Sequence, residues 1–202
     1  ISLIVSCAFI LVQKDLKRLL AYSSIEHIGI IAIGFGLGTP LAIGGALLHV
    51  FNHAVAKSFM FFGAGNIVAI YKTHNMRTIR GVLKAMPFTG LMVILGVFAL
   101  TGCVPFSIFF SELLIIISAF VKGSYFIAAL LLLLLAIIFG AFIYHFGRML
   151  FGNLPKGMKP EGEPLSGKLA FLFLLVLICA GAFMFIFIKK DWLWMGQKLF
   201  QL

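Results

Sequence analysis

Three ionisable side chains recur at a helical spacing inside an apolar part of the chain. His49, His53 and Lys57 follow one another every four residues, with no other charged residue between them. On an α-helix, side chains four residues apart are rotated by only about 40°, so the three form one stripe about 12 Å long. An ionised group at the centre of a bilayer costs about 2.5–3.5 kcal/mol on insertion scales, so such residues usually face a bundle interior or water. The stripe therefore predicts a proton relay.

Histidine and lysine supply the chemistry that a relay needs. Imidazole takes a proton on one ring nitrogen and releases one from the other, and its ordinary pKa of about 6.5 leaves both forms accessible near neutral pH. The proton of a buried lysine responds to a neighbouring acid, so a moving charge can control it. The alternative is structural, because buried His and Lys side chains also hydrogen-bond neighbouring helices and hold them together.

Glu112 is a further ionisable residue in apolar sequence. It lies seven positions after Pro105, just beyond a predicted helix break that begins at Gly102. Glycine permits unusual backbone angles and proline lacks an amide donor, so the two interrupt a helix. A broken helix leaves backbone groups that water or ions satisfy, and transporters build their paths at such points. We predict that Glu112 conducts protons. Pairing with a Lys or Arg of a neighbouring helix is the alternative, and it is compatible with conduction.

Five more polar residues are candidates for the same path. Glu26 lies nine residues after Lys17, about 180° around the helix, so these two cannot pair within it, whereas Ser24 shares the face of Lys17. For His27, a structural hydrogen bond is the alternative. For His145, which lies near the end of a span, an interfacial role is favoured. The five candidates are Lys17, Ser24, Glu26, His27 and His145.

The composition places the chain in a membrane. Of its 202 residues, 62% are hydrophobic and 11% are charged, against roughly 45–50% and about 25% in soluble domains. Lys and Arg number 16 and Asp and Glu 6, a formal net charge of +10. Because these bases flank apolar runs, the charge fits membrane orientation and not nucleic-acid binding.

The cysteines offer no metal chemistry in the sequence. Cys7, Cys103 and Cys179 each lie in apolar sequence, with no CxxC pair and no Cys/His spacing of a zinc or iron–sulfur site. We interpret them as packing residues. The sequence thus predicts no metal, no other cofactor and no catalytic residue.

The apolar runs predict an all-α, polytopic transmembrane helix bundle of about six spans. A helix tail at residues 1–12 is too short to cross about 30 Å of hydrocarbon. The predicted spans and apolar stretches are residues 19–37, 40–71, 87–101, 105–121, 124–151 and 169–188. The break between residues 101 and 105 is either a loop between two crossings or an interruption within one, and the loop charges do not decide between them.

The connections and the ends complete this organisation. Residues 72–85 are basic, with an apolar period that predicts a short interfacial helix. Residues 152–167 form a polar loop, and residues 192–202 an interfacial anchor. Under either topology the basic stretches 14–18 and 72–84 lie on one side, which the positive-inside rule assigns to the cytoplasm. Because the first apolar run is short and lacks the features of a signal peptide, we expect more chain upstream of it.

Three stretches resemble the motifs of one family, in the expected order. They are KDLKRLLAYSSIEHIG at residues 14–29, HVFNHAVAK at 49–57 and GCVPFSIFFSE at 102–112. They resemble a signature stretch, the HxxxHxxxK helix and the GxPPFxxFxSE element of the antiporter-like membrane subunits of respiratory complex I, Mrp-type antiporters and membrane-bound hydrogenases. The SIEH form looks most like the hydrogenase 4 branch, component F and its formate hydrogenlyase relatives.

The resemblance implies a place for this chain within a larger subunit. Residues 1–202 would be the C-terminal half of a proton-translocating domain, the last six of about fourteen helices, with residues 87–121 as one discontinuous helix. Lys57 and Glu112 would belong to a half-channel, with both histidines of the stripe on a central hydrophilic axis. Val104 replaces a family proline and Ser107 a family glycine, which leaves the shape of the break open.

The predicted function is that of a non-catalytic subunit of a membrane-bound hydrogenase or formate hydrogenlyase complex in the inner or plasma membrane. Protons, or Na⁺, would cross it while redox chemistry proceeds on other membrane subunits, its partners together with the lipid bilayer. The alternatives are a subunit of NADH-quinone oxidoreductase (complex I), a subunit of an Mrp-type Na⁺/H⁺ antiporter, and a structural membrane anchor that conducts no ion.

Overall fold

The computed structural model describes residues 1–155 together with Lys168, Phe171, Leu172, Leu175 and Val176. Residues 1–155 form seven helices: α1 (Ser2–Val12), α2 (Leu16–Leu37), α3 (Pro40–Tyr71), α4 (Val82–Ala85), α5 (Pro87–Leu100), α6 (Ser107–Val121) and α7 (Tyr125–Leu150). This part of the chain contains no β-strand, so the predicted all-α class is confirmed. Most of the predicted loop 152–167, the span 169–188 and the tail 192–202 lie outside the described residues, as does Cys179.

Three of the helices are long and apolar enough to cross a membrane. They are α2, α3 and α7, with 22, 32 and 26 residues, or about 33, 48 and 39 Å at 1.5 Å per residue. The apolar helices α5 and α6 have 14 and 15 residues, so each measures only about 21–23 Å, less than the hydrocarbon thickness of about 30 Å. The predicted transmembrane bundle with a discontinuous helix is confirmed.

Local sequence signals set the ends of α2 and α3. The Asp15 side chain accepts a hydrogen bond of 2.9 Å from the backbone N–H of Arg18, so α2 begins three residues earlier than predicted. Gly38 ends α2 at φ 69°. Thr39 then caps α3, accepting from the N–H of Ala42 at 3.1 Å, with Pro40 in the first turn. Only two residues therefore join the helices that carry most of the ionisable side chains.

The predicted helix break lies between α5 and α6. Residues 101–106 form turns, and Gly102 has a φ of 65°, a left-handed conformation that costs other residues about 1–2 kcal/mol. A Cβ at this position would collide with the carboxylate of Glu112. Both backbone and space therefore require glycine here, and the break is built around that carboxylate.

Residues 72–85 contain less helix than predicted, since only α4 is helical. Of the apolar side chains at helical spacing, Met76, Ile79, Val82 and Met86 are buried against the bundle, and Leu83 is half-buried. Backbone hydrogen bonds of 2.9 Å run from Leu16 to the carbonyl of His74 and from Met76 to that of Lys14. The two basic connections are therefore adjacent, at one end of the bundle.

Helix α3 lies at the centre of the bundle, in contact with α2, α5 and α6. Gly45 of α3 lets α6 approach closely, since a Cβ there would lie 3.2 Å from the carbonyl oxygen of Ser111. Outer faces are apolar, with Ile28, Phe126 and Leu133 more than half exposed. The polar side chains of the spanning helices turn inward, which is the reverse of a soluble protein.

Candidate functional site

A connected set of polar side chains fills the contact between α2, α3 and α6. We call this set the polar axis: Ser23, Glu26 and His27 on α2, His49, Asn52, His53 and Lys57 on α3, and Ser107, Ser111 and Glu112 on α6. All but His53 are at most 7% exposed. The four principal candidates from the sequence, the His49–Lys57 stripe and Glu112, thus lie in one buried region with the candidates Glu26 and His27.

The centre of the polar axis is a hydrogen-bonded chain that joins three helices. His27 Nδ1 lies 2.9 Å from His49 Nε2. His49 Nδ1 in turn lies 2.9 Å from the hydroxyl of Ser111, which donates to the carbonyl of Ile108 at 2.7 Å. The chain therefore links α2, α3 and α6 through His27, His49 and Ser111.

His53 lies beside this chain. Its ring centroid is 4.3 Å from that of His27 and 6.4 Å from that of His49. Its Nδ1 is buried and has no hydrogen-bond partner among the described residues. Because His53 is also one helical turn from Lys57, it occupies the space between the histidine pair and the lysine.

Lys57 forms one end of the polar axis. Its ammonium donates a hydrogen bond to the hydroxyl of Ser23, which donates to the carbonyl of Leu20 at 3.0 Å. Glu26 is the carboxylate whose charge acts on Lys57, and the Phe61 ring lies 5.8 Å from the ammonium. A buried base and a buried acid thus face each other at this end.

Glu112 forms the other end. Its side chain is 5% exposed, and Oε1 is buried without a hydrogen-bond partner in the described part of the chain. A carboxylate oxygen lies within 4.8 Å of ligating nitrogens of His27 and His49. Glu112 also lines a cavity of about 340 Å³ with residues of the break and of α7, among them Gly102 and Leu132. Glu112 therefore lies between the histidine pair and a cavity whose lining is mostly apolar.

The energetics argue against a purely structural role for this set. Burying an ion costs several kcal/mol after relaxation, whereas a typical hydrogen bond returns a net of about 0.5–1.5 kcal/mol. Two acids, a lysine and three histidines in one apolar bundle are thus a poor way to stabilise a fold. Their arrangement instead offers alternating proton donors and acceptors across three helices.

Three of the sequence candidates lie away from the polar axis. Lys17 is exposed in the first turn of α2. The hydroxyl of Ser24 donates to the Leu20 carbonyl at 3.4 Å. His145 lies 3.0 Å from the carbonyl oxygen of Ile10, where α7 contacts α1.

The sequence analysis missed four members of the polar axis: Ser23, Asn52, Ser107 and Ser111. Ser23 lies one helical turn before His27, so helical spacing from an ionisable residue could have found it. Ser111 precedes Glu112 directly and lies one turn after Ser107. Asn52 lies three residues after His49, and its side chain donates to the carbonyl of Ser107 at 3.0 Å. Ser24, chosen for its shared face with Lys17, lies outside the polar axis, to which α2 contributes Ser23.

Comparison with known proteins identifies the class. Residues 1–139 match the family described as "NADH:quinone oxidoreductase/Mrp antiporter, TM". Because this match covers well over half of the chain, the chain belongs to that family. The resemblance to antiporter-like membrane subunits is thereby confirmed.

Relatives come from different branches of the family. The chain is 37% identical to the Hydrogenase-4 component F homolog of Methylacidiphilum infernorum over 164 residues, 81% of this chain and 34% of that protein. It is 36% identical to a Na(+)/H(+) antiporter subunit of Alkalihalophilus pseudofirmus over 117 residues, 58% of this chain and 24% of that protein. The chain thus spans about a third or less of the length of these curated relatives.

A solved structure shows the same fold. A chain of respiratory complex I from Thermus thermophilus superposes with a TM-score of 0.81 and 26% sequence identity, covering 93% of this chain and 40% of that one. This complex I chain therefore shares the helical framework that holds the polar axis in the present chain.

Proposed function

We propose that this chain translocates protons along the polar axis, between Glu112 at the helix break and Lys57 beside Glu26. The observation that carries the proposal is the hydrogen-bonded chain from His27 through His49 to Ser111, buried where α2, α3 and α6 meet. Protons fit this chain better than Na⁺ does, because its central atoms are imidazole nitrogens, whereas hard cations take oxygen ligands.

The geometry suggests an order of transfer. A proton from the side of the cavity is taken up at the Glu112 carboxylate, which lines that cavity. Imidazole then passes it on by accepting at one nitrogen and releasing from the other, first at His49 and then at His27. His53 lies between His27 and Lys57. The charge on Lys57 and that on Glu26 act on each other, which couples this last site to a moving acid or base.

We propose that residues 1–202 form the C-terminal half of the translocating domain of a larger, non-catalytic subunit, with other membrane subunits as partners that carry the redox chemistry. The relatives support this, since two are named as a component and a subunit of larger systems. Among the branches we propose the hydrogenase 4 type, supported by the SIEH stretch and by alignment of the component F homolog over 81% of the chain. A complex I or Mrp antiporter subunit is the alternative, which the neighbouring genes would distinguish.

We propose the inner or plasma membrane as the location, with residues 14–18 and 72–84 facing the cytoplasm. The backbone hydrogen bonds between these two stretches support a common side, and their bases support the cytoplasmic one. Labelling of single cysteines at Lys14 and Lys84 by an impermeant maleimide tests the assignment. Both sites should react only from the cytoplasmic face.

The proposed function is tested in the full-length complex reconstituted into vesicles. Lys57→Met and Glu112→Gln each remove a titratable group, so proton uptake driven by electron transfer should fall about 100-fold. Electron transfer without a gradient is measured in parallel. Lys84→Met is the matched control, because Lys84 is exposed and donates to Asn153 outside the bundle. Undiminished uptake in both test variants would instead favour the structural anchor.

A further inference from the structure

His27, His49 and Glu112 bring three potential metal ligands together from three different helices. Their ligating atoms, one from each residue, all lie within 4.8 Å of one another, and all three side chains are buried. The sequence gives no sign of this group, because the residues are far apart along the chain and form no ligand motif. The arrangement depends entirely on the packing of α2, α3 and α6.

The hydrogen bonds of the two histidines bring one ring nitrogen of each together. Ser111 gives its only hydroxyl proton to Ile108, so its oxygen accepts from His49 Nδ1. A neutral imidazole carries one N–H only, so His49 Nε2 keeps a lone pair, which faces His27 Nδ1 at 2.9 Å. In its unprotonated form His27 Nδ1 is the second nitrogen ligand, and an ion bound by both nitrogens replaces the hydrogen bond between the rings.

Glu112 supplies the third ligand and the negative charge. Its buried Oε1 has no partner among the described residues, although an unpaired buried acceptor normally costs about 1–3 kcal/mol. The hydrogen bond of His49 Nδ1 to Ser111 matches the second shell that fixes ring orientation in metal sites. The cavity lined by Glu112 lets an ion approach the carboxylate from that side.

The donor set selects the kind of ion. Two imidazole nitrogens and one carboxylate oxygen suit Zn²⁺, at about 2.0–2.2 Å, whereas Mg²⁺ and Ca²⁺ prefer oxygen. A tetrahedral ion would hold the two nitrogens about 3.3 Å apart. Starting from 2.9 Å, the two nitrogens must separate by a few tenths of an ångström. The Glu112 oxygen, which lies within 4.8 Å of them, must move closer by up to about 1.5 Å.

We propose that His27, His49 and Glu112 form a binding site for a divalent transition metal of the Zn²⁺ type, in which the ion takes the position of a proton between the two histidines. Binding of the ion does not depend on the proposed function. Only its consequence, that the bound ion stops proton passage, rests on the proposed function.

The test measures binding of Zn²⁺ alone to the full-length complex, stripped with a chelator and not turning over. X-ray absorption at the zinc edge on the unmodified protein should show two imidazoles at about 2.0–2.1 Å. His27→Asn and Glu112→Gln should each weaken the affinity by about 100-fold or more, and Ser111→Ala by about 10-fold. His74→Asn is the matched control, since His74 lies in the exposed connection after α3, and its affinity should equal that of the unmodified protein.

Two results would overturn the site. One is a zinc spectrum with fewer than two imidazole ligands, which needs no variant and so does not depend on variant folding. The other is an unchanged affinity in both His27→Asn and Glu112→Gln. Either result leaves the proton pathway standing, because binding is measured without transport. Conversely, normal proton uptake by Glu112→Gln would refute the proton pathway. The zinc affinities, which are measured separately, would still decide whether the metal site exists.

Discussion

The histidines of this chain lie in two contrasting settings. In the polar axis, His27 and His49 face each other and a serine hydroxyl, groups that both give and accept protons. At the contact of α1 with α7, His145 Nε2 donates to the carbonyl of Ile10, a group that only accepts hydrogen bonds. The second setting adjoins an open cavity of about 310 Å³ lined by Lys14, Arg77 and Arg148. For proton transfer, the burial of a histidine thus matters less than whether its hydrogen-bond partner can act both as donor and as acceptor.

The largest expected difference is between His49→Ala and His145→Ala. The first interrupts the chain of reversible partners, so the initial rate of vesicle acidification should fall about 100-fold. The second removes an anchoring hydrogen bond, worth about 1 kcal/mol, and should leave acidification near the unmodified rate. If the acidification rate fell equally in the two variants, the polar axis and the contact of α1 with α7 would not differ in the way described.

Neighbouring serines on α2 sharpen the comparison within one helix. Ser23→Ala removes the acceptor of the Lys57 ammonium, and an unsatisfied buried group costs about 1–3 kcal/mol. Ser24→Ala removes only a long bond to the Leu20 carbonyl and should cost less than about 0.5 kcal/mol. The stability of each variant is measured by denaturing the purified complex and monitoring the accessibility of a cysteine in α2. If Ser24→Ala were the less stable of the two variants, the assignment of Ser23 to the buried face of α2 would be wrong.

A glycine pair gives the smallest effect. Gly102→Ala puts a side chain at a positive φ and against the Glu112 carboxylate, so it should destabilise by about 1–2 kcal/mol and reduce proton uptake. Gly36→Ala lies in α2, where a Cβ meets no atom within 4 Å, and should stabilise by up to about 1 kcal/mol. Thermal unfolding and vesicle acidification are measured together. If Gly102→Ala retained full uptake, the position of Glu112 would not depend on the break.

Periodicity predicted the parts of this structure that depend on local sequence. The bounds of α3, the break at Gly102 and the shared face of His49, His53 and Lys57 all follow from helix geometry and from the chemistry of glycine and proline. Residues 72–85 show the limit, because only α4 is helical there and most of the other apolar side chains are buried by turns that pack on neighbouring helices. Helical spacing of apolar residues does not distinguish a helix from such turns.

The sequence could not predict which side chains each polar residue contacts. His27 and His49 are 22 residues apart, and His49 and Ser111 are 62 apart. Nothing in the spacing of either pair specifies the contact. The central position of His27 depends on which face of α2 packs on α3, and that choice is made by the whole bundle.

The two basic connections have a mechanical consequence. Helices α2 and α3 are joined covalently through Gly38 and Thr39 at one end, and the hydrogen bonds between residues 14–16 and 74–76 tie them at the other. They form a closed frame, which limits the movement of one helix against the other. The turns of residues 101–106 lie outside this frame, so we expect any rearrangement of the proposed path to occur there and to change the distance between Glu112 and the two rings.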